Sequence, residues 1–300
     1  MQRIRHYFSL IKFSHTIFAM PFALIGFTLG WFSPYNQLRG IDGSFSANAL
    51  RVFIAVIGCM VFARSAAMAF NRYLDRDVDV QNPRTQNREI PAGIIRPRQA
   101  LFFTIINALL FVTATWFINM LCFYLSFVAL FVVLFYSYTK RFTSWCHLVL
   151  GLGLSLAPIG AYLAVTGQFD GLPILFSVVV ISWVSGFDIL YALQDEHFDQ
   201  QMGLHSIPAR WGRSGAMRIS EALHLITGIA IVVIGIYGNW GISFLLGAIG
   251  FVGMLIYQHR LVKPNDLSRI NLAFMTSNGI ASVLFALLVI IDLFIHKQVH

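Results

Sequence analysis

The sequence predicts an all-α, polytopic membrane protein with about nine transmembrane helices arranged around a central cavity. Hydrophobic residues make up 57% of the 300 residues, and charged residues make up only 11%. Mean hydropathy is +0.71. Apolar runs of about 20 residues, the length of helix that crosses a bilayer core, recur along the whole chain. This composition excludes a soluble globular domain, which could not bury so much apolar surface.

Each apolar run predicts one helix. In chain order the predicted helices cover residues 8–32, 47–71, 98–117, 120–138, 145–165, 172–194, 214–238, 241–260 and 270–294. The first run begins with basic residues, as a signal peptide does. It continues to Trp31 without a small-residue cleavage site, so we interpret it as a retained helix. No low-complexity tract or long linker divides the chain, and residues 1–300 are expected to form a single integral-membrane domain.

Basic residues are concentrated at alternate ends of the predicted helices. If the N-terminus is cytoplasmic, seventeen of the 21 Lys and Arg residues lie on the cytoplasmic side. Arg64 then lies within a helix, and the opposite side receives only Arg39, Arg51 and Lys297. This positive-inside pattern predicts a multi-pass protein of the cell inner (cytoplasmic) membrane, with an odd number of helices. The net charge of +8 is explained by the lipid bilayer and an anionic substrate, so no nucleic-acid partner is expected.

Two nine-residue segments, 71–79 and 191–199, carry most of the chemical information. Each directly follows a long apolar run, where carboxylates are costly and therefore indicate a function. Each segment places a polar residue and two aspartates at positions i, i+4 and i+8. These are Asn71, Asp75 and Asp79 in the first segment, and Tyr191, Asp195 and Asp199 in the second.

Helical geometry predicts which of these side chains converge. Residues i and i+4 differ by about 40° around a continuous α-helix, so the aspartates of each segment share one sector. Asp77 then points to nearly the opposite side, and Glu196 points about 100° away from Asp195. Four converging carboxylates would suit Mg²⁺ ions that bridge to a diphosphate, because Mg²⁺ prefers oxygen ligands and shares them with substrate phosphates. The alternative is two solvated helix ends whose acids pair with neighbouring arginines.

The two segments belong to an internal repeat. Asp75 and Asp195 are separated by 120 positions, and the Ile-Pro-Ala sequence at 90–92 is repeated 117 positions later at 207–209. Both segments end a helix that runs towards the cytoplasm, so the two halves have a parallel orientation. The repeat predicts one acidic site in each half, facing a shared cavity.

The residues around the segments resemble a known family, the UbiA superfamily of intramembrane aromatic prenyltransferases. Its first signature motif resembles Asn71-x3-Asp75-x3-Asp79-x2-Asn82-x-Arg84-Thr85-x2-Arg88-x2-Pro91-x-Gly93. Its second resembles Tyr191-x3-Asp195-x3-Asp199-x3-Gly203-x2-Ser206-x-Pro208, and a middle-helix segment resembles Tyr136-x3-Lys140-Arg141. One departure is Arg72, where many members have Asp, and we expect Arg72 to lie off the ligand face. Segments 11–22 and 88–93 look most like the members of quinone pathways.

The resemblance implies a polyprenyltransferase with Mg²⁺ as cofactor. Its substrates would be a polyprenyl diphosphate and an aromatic acid, either 4-hydroxybenzoate or a dihydroxynaphthoate, in ubiquinone or menaquinone biosynthesis. One Mg²⁺ would be held by Asn71, Asp75 and Asp79, and a second by Asp195 and Asp199. The diphosphate would be bound by Arg76, Arg84, Arg88 and Lys140. The allylic cation would be stabilised by the rings of Tyr136 and Tyr191.

Three further polar residues lie within or beside the predicted helices. Arg64 is a candidate to bind the diphosphate or the carboxylate of the acceptor, because a charge inside a span needs a partner. Asp188 is a candidate to orient the hydroxyl group of the acceptor or to balance Arg64. His15 is either a polar contact for the aromatic acid or a structural histidine.

Other classes of protein stay open at this point. A secondary transporter also combines parallel repeats with acidic residues, although its acids bind a cation rather than a diphosphate. CDP-alcohol phosphotransferases use paired aspartates too, but the Asp-Gly and Ala-Arg lead-in of their motif is absent from this sequence. A UbiA-type enzyme that acts on haem or chlorophyllide is the remaining alternative.

Overall fold

The computed structural model describes residues 6–7, 9–11, 18–40 and 46–296, and within these ranges the chain is a helical bundle. Its long helices are α1 (Met20–Phe32), α2 (Ala47–Leu74), α4 (Pro97–Trp116), α5 (Met120–Thr139), α6 (Cys146–Thr166), α7 (Gly171–Ala192), α9 (Ile207–Tyr237), α10 (Ile242–Leu261) and α11 (Asn278–His296). Two short helices, α3 (Arg76–Asp79) and α8 (Glu196–Gln201), follow the acidic ends of α2 and α7. A π-helical turn, Leu272–Ser277, leads into α11. His15 lies outside the described residues.

The predicted fold class is confirmed. Over the described residues, eight helices are long and apolar enough to cross a membrane. The apolar helix α1, which has 13 residues, occupies the end of the first predicted span. Two helices begin elsewhere than predicted: α11 begins at Asn278, after the π-helical turn, rather than at residue 270, and α9 begins at Ile207 rather than at residue 214. Gly212, with φ of +66°, forms a kink between the first turns of α9 and the rest of the helix.

Helix packing follows the internal repeat. Helix α2 packs mainly against α4, and α7 packs against both α6 and α9. Each acidic segment therefore lies between two closely packed helices. Helix α1 joins the halves, because it contacts both α6 and α11. At Gly26 it approaches α6 so closely that a Cβ atom would lie 2.0 Å from the carbonyl oxygen of Pro158.

The second half of the bundle has a dense aromatic core. Trp183 is fully buried, its ring centroid lies 5.4 Å from that of Phe22 and 5.3 Å from that of Phe251, and its indole N–H donates to Asn278 Oδ1 at 2.9 Å. Phe285 packs against the same group, with 5.0 Å between its ring centroid and that of Phe251. Rings of this size fill the space between α1, α7, α10 and α11.

Candidate active site

Both acidic segments interrupt the helix that precedes them. Helix α2 ends at Leu74, and Asp75 is the cap between α2 and the short helix α3. In the second segment a 3₁₀ turn, Leu193–Asp195, separates α7 from α8. The sequence prediction assumed a continuous α-helix, so its rotation angles do not apply beyond these breaks. A helix end leaves carbonyl groups unpaired, and a tightened last turn is a common way to satisfy them.

Side chains from the connecting loops bring the two segments together at one end of the bundle. Asn82, which follows the first segment, donates to Asp195 Oδ1 of the second at 3.1 Å. Lys140 and Arg141, at the end of α5, contact one segment each. Lys140 Nζ lies 2.6 Å from Asp199 Oδ1, and Arg141 Nη2 lies 2.9 Å from Asp75 Oδ1.

Each of the four aspartates is paired with a different basic side chain. The pairs of Asp75 and Asp199 are those just described. Arg88 Nη1 lies 2.7 Å from Asp79 Oδ1. Arg84 forms a two-bonded pair with Asp195, in which Arg84 Nε donates to Oδ1 at 2.9 Å and Nη2 donates to Oδ2. Buried carboxylates need such partners, since an unpaired charge in this environment is very costly.

Burial and these contacts shift the pKa values of two groups at the helix ends, Asp75 and Lys140. Burial raises the pKa of the Asp75 carboxyl above its ordinary value, while the charge of Arg141 acts in the opposite direction. Burial alone would lower the pKa of the Lys140 amine. The Asp199 carboxylate outweighs this effect, and the pKa of Lys140 is raised. Lys140 therefore keeps its positive charge at neutral pH.

The oxygen donors fit a metal ion that shares its ligands with a substrate. Among the described residues, no three carboxylate, His or Cys side chains lie close enough to enclose an ion. Asp79 Oδ2 is buried and has no hydrogen-bond partner in the described part of the chain. Arg72 Nη1 lies 4.0 Å from it. Mg²⁺ suits this arrangement, because it is commonly held by one or two carboxylates together with phosphate oxygens and water.

Two more residues from the sequence prediction lie within this group. The Asn71 side-chain amide donates to Asp75 Oδ2 at 2.9 Å. The Tyr191 hydroxyl accepts from Arg84 Nη1 at 3.2 Å, and the Arg84 guanidinium lies 5.4 Å from the centroid of the Tyr191 ring. The same ring stacks on Phe274 with centroids 4.1 Å apart.

Other predicted residues have different partners. Arg76 Nη1 donates to the carbonyl of Tyr73 at 2.7 Å, and Arg76 Nη2 lies 3.5 Å from Asp77, so Arg76 contacts none of the four aspartates. Asp77 is indeed directed outward, with 80% of its side chain exposed. Asp188 Oδ2 lies 2.7 Å from His147 Nδ1. Asp188 therefore does not balance Arg64, which was one of the two roles predicted for it.

Four residues of the group were missing from the predicted site, and one of them is Asn82, which donates to Asp195. Arg141 pairs with Asp75, and Ser206 Oγ donates to Asp199 Oδ2 at 2.8 Å. Arg141 and Ser206 both occur in the motifs quoted in the sequence analysis, and this could have indicated their role. Arg72 was expected to lie off the ligand face. It is buried instead, near Asp79, because residues spaced i and i+7 are only about 20° apart around a helix.

An apolar cavity opens beside the first segment. It has a volume of 340 Å³ and lies between α2, α4, α5 and α6. Small residues such as Cys59 and Gly160 line its depth. The polar residues Arg64, Asn71 and Tyr136 also line it. Arg64 Nε is buried and has no hydrogen-bond partner in the described ranges.

Together the fold and site define a polytopic membrane protein with a charge-balanced polar site beside an apolar cavity. This division matches a substrate with an anionic head and an apolar tail. A model of the UbiA prenyltransferase family matches residues 19–280, and the chain belongs to this family. The predicted family is thereby confirmed, and so is the predicted class of enzyme, a prenyltransferase.

Curated relatives cover nearly the whole chain. The 4-hydroxybenzoate octaprenyltransferase of Nitrosospira multiformis is 28% identical over 285 residues, which cover 95% of this chain and 94% of the relative. The protein of the same name from Nitrosomonas europaea is 31% identical over 264 residues, covering 88% of this chain and 89% of the relative.

Solved structures agree with the fold. The apo structure of a UbiA homolog from Aeropyrum pernix K1 matches with a TM-score of 0.76 at 26% identity, and covers 94% of this chain and 97% of that chain. A UbiA homolog from Archaeoglobus fulgidus bound to DMAPP and Mg²⁺ matches with a TM-score of 0.73. Its identity is 20%, with 96% of this chain and 99% of that chain covered, so it supports the fold alone.

Proposed function

We propose that this protein transfers a polyprenyl group from polyprenyl diphosphate to an aromatic acid. The observation that carries the proposal is the charged site, four carboxylates paired with four basic side chains, at an apolar cavity between membrane helices. The first candidate acceptor is 4-hydroxybenzoate, supported by the names of the relatives. That acceptor favours ubiquinone synthesis, and a dihydroxynaphthoate of menaquinone synthesis is the second candidate.

The acidic residues would bind the diphosphate through metal ions. Asn71, Asp75 and Asp79 would hold one Mg²⁺, and Asp195 and Asp199 would hold a second. Bound Mg²⁺ would neutralise the charge that develops on the diphosphate as the allylic C–O bond breaks. The orphaned oxygen of Asp79 and the all-oxygen donor set support this assignment.

The basic residues would change partners when the metal and the diphosphate bind. Arg84, Arg88, Lys140 and Arg141 each contact a carboxylate in the ligand-free site. Once those carboxylates held a metal ion, the four basic side chains would bind the phosphate oxygens, where charge-assisted hydrogen bonds are strong. These groups would then stabilise the leaving diphosphate.

The cavity would receive the isoprenoid tail. Its lining is almost entirely apolar, so the tail stays in surroundings like those of the bilayer. Tyr136 lines the cavity and Tyr191 borders the acidic residues. Their rings would stabilise the allylic cation through their π faces. Arg64, whose Nε lacks a partner, would bind the carboxylate of the aromatic acid.

The distribution of basic residues supports a cytoplasmic site in the cell inner membrane. The diphosphate head and the aromatic acid are both water-soluble groups that would enter from that side. Single-cysteine labelling tests the orientation. A cysteine introduced at the exposed Gln81 should react only with reagents that reach the cytoplasm, and one at the exposed Gln168 only with reagents on the opposite face. Reversed labelling would contradict the orientation and leave the chemistry unaffected.

Product analysis tests the reaction. Purified protein in lipid nanodiscs would be given polyprenyl diphosphates of several lengths together with 4-hydroxybenzoate, a dihydroxynaphthoate or haem. Mass spectrometry would identify the prenylated product. We expect a prenylated 4-hydroxybenzoate that forms with Mg²⁺ and is lost with EDTA. Product from haem alone would refute the aromatic acid, and metal-driven transport without any product would refute transfer itself.

A further inference from the structure

A fifth carboxylate, Asp188, differs from the four aspartates of the site. It lies on α7, seven residues before Asp195, and 18% of its side chain is exposed although α7 is largely buried. No Lys or Arg side chain of the described residues lies within 4.0 Å of it. Its partner is His147 of α6, whose Nδ1 lies 2.7 Å from Asp188 Oδ2.

The contacts of His147 fix the position of this partner. The backbone N–H of Ile207 donates to His147 Nε2 at 3.4 Å. The other ring nitrogen, Nδ1, forms the hydrogen bond with Asp188. The His147 backbone is held as well, since its carbonyl accepts from Ser185 Oγ at 3.1 Å. Asp188 is therefore held by an imidazole ring that two further contacts keep in place.

The position of Asp188 brings it close to the site. Asp188 and Tyr191 are spaced i and i+3 on α7, which places them on one side of the helix, and the Tyr191 hydroxyl accepts from Arg84. Ile207, which donates to His147, directly follows Ser206, whose hydroxyl donates to Asp199. The pair of Asp188 and His147 therefore lies beside the second acidic segment. A carboxylate there and Arg64 in the cavity would suit an acceptor with a hydroxyl at one end of its ring and a carboxylate at the other.

We infer that Asp188 is the base for the hydroxyl group of the aromatic acceptor and that His147 is its positioning residue. The inference rests on the proposed function. As the allylic C–O bond breaks, its electron pair leaves with the diphosphate. The phenolic proton moves to Asp188, and the ring carbon next to the hydroxyl forms the bond to the allylic carbon. The proton on that ring carbon then passes to the released diphosphate, and Asp188 returns its proton to the oxygen, which restores the aromatic ring.

The first experiment removes the base with little change of shape. Asp188→Asn can still accept a hydrogen bond from His147, and it should lower kcat with 4-hydroxybenzoate by about 10²-fold or more. The KM for polyprenyl diphosphate should stay unchanged. Asp77→Asn, at the exposed aspartate near the site, is the matched control and should retain activity.

The second readout distinguishes a base from a structural residue. The hydroxyl of 3-fluoro-4-hydroxybenzoate is more acidic than that of the parent acid, so it depends less on a protein base. The activity ratio of the fluorinated to the parent acceptor should rise several-fold in Asp188→Asn relative to the wild type. A structural role would leave this ratio at its wild-type value, and that result would overturn the inference.

Substitutions at His147 test its positioning role independently. His147→Leu removes the donor to Asp188 and should lower kcat by about ten- to a hundredfold. His147→Asn offers an amide N–H near the position of Nδ1 and should restore most of that loss. Equal activity of the two variants would refute the positioning role. If the wild type makes no product from any hydroxylated aromatic acid, the proposed function fails. Wild-type turnover with an unchanged ratio in Asp188→Asn refutes only the role of Asp188.

Discussion

The two halves of the bundle carry matching acidic segments in different surroundings. In the first half, Asn71 and Asp75 lie beside a cavity of 340 Å³ that is lined by apolar side chains of α2, α4, α5 and α6. In the second half, the space beside Asp195 is filled. Tyr191 stacks on Phe274, and both rings pack against the aromatic core that contains Trp183.

This difference separates two requirements of the proposed reaction. A diphosphate head needs charge on both sides, and both segments provide it through cross-half pairs such as Arg84 with Asp195. An apolar tail needs an open path in one direction only. The polar chemistry is therefore duplicated in the two halves, whereas the 340 Å³ cavity lies beside the first acidic segment.

The largest effect is expected from the loss of a carboxylate in either half. Each single alanine variant should lower Mg²⁺-dependent turnover by about 10²- to 10³-fold or more, because electrostatic stabilisation of the leaving group is lost. The variants are Asp75→Ala, Asp79→Ala, Asp195→Ala and Asp199→Ala. Steady-state kinetics in nanodiscs would measure the effect, with Asp77→Ala as a mild control. If only one segment proved sensitive, the two halves would not be chemically equivalent.

A smaller effect is expected at Arg64, which belongs to the cavity half alone. Loss of a charge-assisted contact costs about 1.5–3 kcal/mol, or roughly ten- to more than a hundredfold in a binding constant. Arg64→Met should raise the KM of the aromatic acid by this amount and affect polyprenyl diphosphate less. Arg51→Met, at an exposed arginine on the same helix, is the control. A rise confined to the diphosphate KM would move Arg64 to the phosphate site.

Filling the cavity should produce an effect that depends on the length of the tail. A Cβ atom at Gly160 meets no atom within 4 Å, and the residue lines the cavity, so Gly160→Phe would project a ring into open space. We expect turnover of long polyprenyl diphosphates to fall by about tenfold, with short ones affected less. Gly253→Phe places the same ring on an exposed position of α10 in the other half. Equal effects of both variants would contradict a tail site confined to the first half.

The smallest effect is expected at Arg76. Its partners are Tyr73 and the exposed Asp77, and such surface pairs contribute about 1 kcal/mol or less. Arg76→Ala should therefore change turnover by less than about fivefold, whereas Arg84→Ala should be far more damaging. A severe loss in Arg76→Ala, with the protein still folded, would mean that Arg76 turns towards the phosphate after binding.

Much of the fold could be read from local sequence, for a physical reason. A helix that crosses a bilayer needs about 20 apolar residues, and this requirement concerns one segment at a time. Most of the predicted helices accordingly end within a few residues of the observed ones, as in α5, predicted over 120–138 and observed as Met120–Thr139. The start of α9 was missed, because the helix is capped by Ser206 and kinked at Gly212, and hydropathy reports neither feature.

The sequence by itself determined that the chain spans a membrane and carries two acidic segments at related positions, because hydropathy and spacing are local properties. Only the tertiary structure decided which cation meets which carboxylate. Arg84 and Asp195 lie 111 positions apart, and their pairing joins the loop after α2 to the end of α7. It also decided that Asp188 pairs with His147 while Arg64 lacks a hydrogen-bond partner at Nε in the described part of the chain. Such pairings arise from contacts between distant segments, which the periodicity of a single helix cannot encode.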